Sequence, residues 1–78
     1  MISRRELARK LKIDNEQLRD ILASMLDKEE IFCVREKEYV GRGAKWRMVF
    51  FEDKKRAEQY LIGKDAFMVN GKLLKDLW

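Results

Sequence analysis

Residues 31–51 read IFCVREKEYVGRGAKWRMVFF, and whether this stretch is helix or strand decides the fold. Aromatic and β-branched residues alternate with charged ones on both sides of Gly41 and Gly43, the period-two pattern of two strands joined at a glycine turn. A β-hairpin is predicted. If Phe32 and Val34 face the core with Trp46, Met48 and Phe50, then Arg35, Lys37, Lys45 and Arg47 share the outer face, with Arg42 at the loop tip. The hairpin is then basic toward solvent, and Trp46 is expected in the core rather than stacked on a base. Gly41 and Gly43 either serve the turn alone or let the backbone approach a ligand.

Ahead of the hairpin, Ser3 and Glu6 have capping-box spacing and predict a helix ending near Lys12. Leu7, Ala8 and Leu11 fall on one of its faces, with Arg5, Arg9 and Lys12 opposite. Ile13 then precedes Asp14, a good N-cap, and Gln17 completes a second capping box. The helix it opens runs to about Asp27 on a stripe of Leu18, Ile21, Leu22, Met25 and Leu26. So tight a connection predicts a helix-turn-helix over 3–30. Beyond the hairpin at 31–51, EDKKRAEQYLIG predicts a third helix within 52–63, capped by Asp53, buried through Ala57, Tyr60 and Leu61, and ended at Gly63. In residues 64–78 the Asn70-Gly71 pair predicts a second small hairpin, with a terminal helix as the rival. Tyr39 and Trp78 have no assigned place.

With 78 residues the chain has room for one domain and one small core. Its lone cysteine, Cys33, and its lack of histidine exclude a disulfide framework, a Cys/His zinc site and a histidine-based triad. Cys33 is expected as a small buried hydrophobe in a reducing, intracellular setting. No apolar run nears the ~20 residues that span a bilayer, and MISRRELARK lacks the apolar centre of a signal peptide. A cytoplasmic protein with no membrane partner is expected. The lack of proline and the Lys/Glu/Arg richness suit a thermophilic source. VGRGAK lacks the spacing of a phosphate-binding loop, and nothing places the pairs Glu29/Glu30 and Glu36/Glu38 in a cleft. No catalytic residue, metal site or cofactor is assigned, and the chain is not expected to be an enzyme.

RRELARKLKIDNEQLRDIL (4–22), with its Leu7-Ala8 pair, Ile13 at the turn and the Leu18/Ile21/Leu22 register, leads into DKEEIFCVREKEYVGRGAKWRMVFF (27–51). Together they resemble the winged helix-turn-helix family over residues 3–51. The resemblance implies a small α+β domain: a helix-turn-helix, a hairpin wing, a third helix and a short C-terminal hairpin or helix. The family's helix in front of the pair is missing, and the helix near 53–62 is expected to fill its place in the core. Lys12 stands where a glycine is common in the family's turn.

The resemblance also implies DNA binding, with the second helix in the major groove and Asn15, Glu16, Gln17, Arg19 and Asp20 near the bases. Charge argues against that helix leading. Asp14, Glu16, Asp20, Asp27, Glu29 and Glu30 against Arg19 and Lys28 leave residues 14–30 at −4, whereas residues 1–13 carry +4 and residues 31–51 carry +3. The expected mode is therefore led by the wing, with Arg42 in the minor groove and Arg35, Lys45, Arg47, Arg5 and Arg9 on phosphates. The function expected is that of a small transcriptional regulator on double-stranded DNA, and a homodimer would suit paired half-sites. Two alternatives stay open. One is a protein-interaction module docking a basic partner on Glu16, Asp20 and Asp27; the other is an RNA-binding protein using the same hairpin, with Tyr39 for stacking.

Overall fold

Every helix starts at a side-chain acceptor, so the caps divide the chain. A computed structural model describes residues 2–78 as β1 (Ile2–Ser3), α1 (Arg4–Leu11), α2 (Asn15–Asp27), β2 (Phe32–Val40), β3 (Gly43–Phe51), α3 (Lys54–Leu61), β4 (Ala66–Val69) and α4 (Gly71–Leu77). Ser3 Oγ accepts from the Glu6 N–H at 3.3 Å and Asp14 Oδ1 from the Gln17 N–H at 2.8 Å. Asp53 Oδ1 accepts from the Lys55 N–H at 2.9 Å and Asn70 Oδ1 from the Leu73 N–H at 2.8 Å. Each bond satisfies an amide that has no partner within its own helix. Between α1 and α2, Lys12 takes the left-handed conformation (φ 53°, ψ 40°) that favours glycine.

The strands form one antiparallel sheet in the order β1-β3-β2-β4. In the β2–β3 hairpin Cys33 pairs with Phe50, Val34 with Val49 and Arg35 with Met48, and Val40 faces Gly43 across a two-residue loop. Gly41 holds φ +59° at the first loop position, where a type II′ turn requires glycine. Both faces of the sheet are covered near its base. On one, Cys33, Met48, Phe50 and Val69 pack with Leu18, Leu22 and Leu26 of α2, Leu74 of α4, and Leu7 and Ala8 of α1. On the other, Val34, Val49 and Phe51 pack with Ala57, Tyr60 and Leu61 of α3. None of the helices described is long and apolar enough to cross a membrane.

Three expectations change. First, Asn70-Gly71 does not turn a hairpin, and the rival terminal helix forms instead: Asn70 caps α4, and Gly71 is buried against α2. A Cβ on Gly71 would lie 2.6 Å from the Ala23 carbonyl oxygen and against the Asp27 carboxylate, so glycine is there for close helix packing. Second, α3 does not stand in for a helix in front of the pair. It lies across the sheet from α1 and α2, and α4 packs beside α2 instead. Third, Phe32 and Val34 lie on the opposite face from Trp46, Met48 and Phe50, because directly paired residues share a face and the register pairs Lys37 with Trp46 and Glu36 with Arg47. Arg35 and Lys37 are thereby separated from Lys45 and Arg47.

Alanine at position 71 adds about 1 kcal/mol of helix propensity, but overpacking costs about 1–3 kcal/mol. Gly71→Ala is expected to lower stability by up to about 2 kcal/mol in urea unfolding; a more stable variant would contradict the close approach of α4. Burial also pushes the Cys33 thiol up to about 12, leaving almost no thiolate at neutral pH. Iodoacetamide should therefore leave native Cys33 unmodified and alkylate it only on unfolding, as mass spectrometry would show.

Candidate nucleic-acid interface

Beyond the buried base, the hairpin continues as a two-stranded ribbon. Among the described residues β1 pairs only with Val49 and Phe50, and no described strand lies beside the outer edge of β3 from Gly43 to Met48. A cleft of about 430 Å³ follows that edge. Its polar wall has Arg4 and Arg5 from the start of α1, Arg35 from β2, and Lys45 and Arg47 from β3, against one carboxylate, Glu38. Trp46, Met48 and Leu77 supply its apolar part. Arg4 is held in place by packing, with its guanidinium carbon 4.7 Å from the centre of the Trp78 ring.

The two faces of the ribbon treat their charges differently. On the α3 side, Glu36 is only 6 % exposed. Its Oε1 accepts from the Tyr60 hydroxyl at 2.8 Å and pairs with Arg47 Nε. Arg47 also reaches the Tyr60 hydroxyl at 3.4 Å and approaches Glu38 to 4.0 Å. Burial pushes the Glu36 carboxyl upward, but the Tyr60 and Arg47 hydrogen bonds and the nearby positive charge outweigh it and hold Glu36 below the usual carboxylate range. Arg47 is thus chiefly a clamp between ribbon and α3.

On the other face the charges lie among exposed rings. Trp46 is 46 % exposed, which corrects its expected place in the core; Phe67 is 39 % exposed and Tyr39 66 %. The Trp46 and Phe67 rings are 5.9 Å apart and tilted by 56°. The Arg35 guanidinium carbon lies 5.3 Å from the Trp46 ring centre, and Lys37 Nζ 5.4 Å from that of Tyr39. The Tyr39 hydroxyl donates to Asp65 Oδ2 at 2.5 Å, which fixes the ring and holds the phenol above its usual range.

The cleft brings together four of the residues expected at a DNA contact, Arg5, Arg35, Lys45 and Arg47. Arg42 stands exposed at the hairpin tip, and Arg9 is exposed farther along α1. Asn15 and Gln17 are exposed at the start of α2, where Arg19 Nε pairs with Asp20 Oδ1 at 3.1 Å; none of these residues lines the cleft. Glu16, Asp20 and Asp27 of the acidic set are all exposed, and the Asp27 carboxylate lies beside Gly71 at the start of α4. Sequence reasoning missed Arg4, Phe67 and the exposure of Trp46. The signal for Arg4 was its place next to Arg5, immediately after the Ser3 cap.

A second concavity, about 690 Å³, lies between α1 and α2, lined by Leu7, Leu11, Ile13, Ile21 and Met25 with Glu30 and Glu52. It has no cation and would repel phosphate. No family model, curated protein or solved structure matches the chain.

Glu36 titrates lower in the folded chain than the roughly 4.3 of an unfolded glutamate. Its contribution to stability is therefore complete above about pH 4.3 and is lost as pH falls through the folded value. Glu36→Gln is expected to be about 1–2 kcal/mol less stable at pH 7, with the difference narrowing below about pH 4. Paired denaturant titrations at the two pH values check this, and a gap unchanged by acid would argue against an ionised clamp.

Proposed function

We propose that the chain is a nucleic-acid-binding domain that grips the sugar–phosphate backbone at the base of its β-ribbon. The observation that carries this reading is the composition of the cleft: five cations and one carboxylate beside an exposed tryptophan, along an unpaired strand edge. Such a surface attracts phosphate without reading sequence. In this reading Arg4, Arg5, Arg35 and Lys45 touch phosphates, Arg42 extends the contact at the ribbon tip, and Arg47 supports them from behind.

The tight α1–α2 connection and the hairpin support a winged-helix-like use of the scaffold, for which duplex DNA is the natural first ligand. The charge of α2 speaks against insertion of that helix between phosphates, so sequence-specific regulation is the less supported form of the proposal. Docking of a basic protein on α2 is weaker still, because Asp20 is paired with Arg19 and the Asp27 carboxylate sits beside the start of α4.

Fluorescence anisotropy with a labelled duplex and a labelled single strand, at low and moderate salt, tests the proposal. Wild type is expected to bind with a clear salt dependence. Arg5→Ala/Arg35→Ala/Lys45→Ala should lose affinity and flatten the slope of log K against log salt by about 2–3. Binding that survives the triple substitution unchanged would remove the cleft from the interface.

A further inference from the structure

Three exposed aromatic rings on one sheet face form the feature that a phosphate-gripping cleft leaves unexplained. Phe67, Trp46 and Tyr39 follow one another along the ribbon face past the end of α4, with Arg35 and Lys37 between them. Elsewhere on this face the apolar residues are covered by helices; here three large rings stay in water. A purely apolar protein partner is a poor fit, because burying Arg35 and Lys37 would strand their charges. A polynucleotide satisfies both, offering bases to the rings and phosphates to the cations.

The geometry chooses among polynucleotides. The rings sit on three strands, Phe67 on β4, Trp46 on β3 and Tyr39 on β2, in register rows two residues or about 6.8 Å apart along the ribbon, twice the 3.4 Å step between stacked bases in a duplex strand. A chain lying along the ribbon therefore places its bases on successive rings only if they are unpaired and spread apart. Duplex bases, stacked on their own neighbours, have no free face to offer. Glu38, exposed on the cleft wall, separates the two kinds of single strand. A carboxylate accepts from a ribose 2′-hydroxyl, a donor that deoxyribose lacks.

We propose that the Phe67–Trp46–Tyr39 face is a stacking platform for single-stranded RNA, whose backbone runs into the cleft at Arg35 and Lys45. The inference rests on the nucleic-acid reading above and names the ligand of that same site. Bases stack on Trp46 and Phe67, the Arg35 plane extends the Trp46 surface, and Lys37 meets a phosphate near Tyr39.

The test uses the full chain carrying Trp78→Phe, so that Trp46 is the only tryptophan, with oligouridylate, the matching oligothymidylate and a duplex of equal length as probes. Oligouridylate is expected to quench Trp46 fluorescence and to bind more tightly than the other two. Trp46→Ala should weaken oligouridylate binding about tenfold or more, while Trp46→Phe keeps most of it because the ring is retained. Direct anisotropy reads binding in the variant that lacks tryptophan fluorescence. Failure separates cleanly. If all probes bind in a manner sensitive to the cleft substitutions, yet Trp46 is not quenched and Trp46→Ala is neutral, the platform is overturned and the phosphate grip stands. Oligothymidylate or duplex binding as tightly as oligouridylate overturns the assignment to RNA. If no probe binds even at low salt, both the platform and the nucleic-acid reading fall.

Discussion

The pairing of Cys33 with Phe50 and of Val34 with Val49 is the constraint on which the molecule depends. These adjacent pairs point to opposite faces, so one short run of strand supplies the centre of both cores: Cys33 and Phe50 beneath α1, α2 and α4, and Val34 and Val49 beneath α3. A slip of one residue would exchange the faces and set Glu36 and Arg47 against the larger core. The Glu36–Arg47–Tyr60 cluster opposes that slip, since its charges are satisfied only on the α3 side. Register, two-sided burial and this polar clamp are one arrangement.

The local grammar of the chain was legible where one residue settles one bond. Ser3, Asp14 and Asp53 cap the helices expected from their spacing, and the glycines at 41 and 43 bracket the turn of the expected hairpin. What could not be read was which elements meet. Asn70-Gly71 has the composition of a hairpin turn, but its conformation depends on a tertiary fact, the approach of α4 to the Ala23 carbonyl. α3 was placed with the wrong partners because an apolar stripe specifies burial without saying against which surface.

The candidate site was half legible for the same reason. Alternation correctly grouped Trp46 with Met48 and Phe50, yet it also placed Phe32 and Val34 beside them. When both faces are buried, alternation loses its power to tell inside from outside. Trp46 is exposed because cover on its face extends over Met48 and stops short of the ribbon, a boundary set by the length and seat of α4. Arg4 joins the site because β1 holds the start of α1 beside the free edge of β3, a long-range pairing that leaves almost no local trace.

The proposed contact begins at that boundary. Below it, sheet residues are covered by helices, and the one buried charge on the α3 side, Glu36, is neutralised by its own partners. Above it, the strand continues without a cover, and the same alternation that builds two cores builds two unlike surfaces. The α3 side sets Glu36 and Glu38 against Lys45 and Arg47, while the other side has Arg35 and Lys37 among aromatic rings with no acid paired across the hairpin. With only Asp65 nearby, at the Tyr39 hydroxyl, this cationic face keeps more of its long-range attraction for phosphate than one whose cations are paired with acids. The Trp46 face is therefore expected to lead binding, joined by Lys45 at the free edge of β3, although both faces have similar numbers of cations. The acidic α2 leads to the same result from the other direction, since it repels a polyanion from its own surface and leaves the ribbon and the start of α1 as the side open to approach.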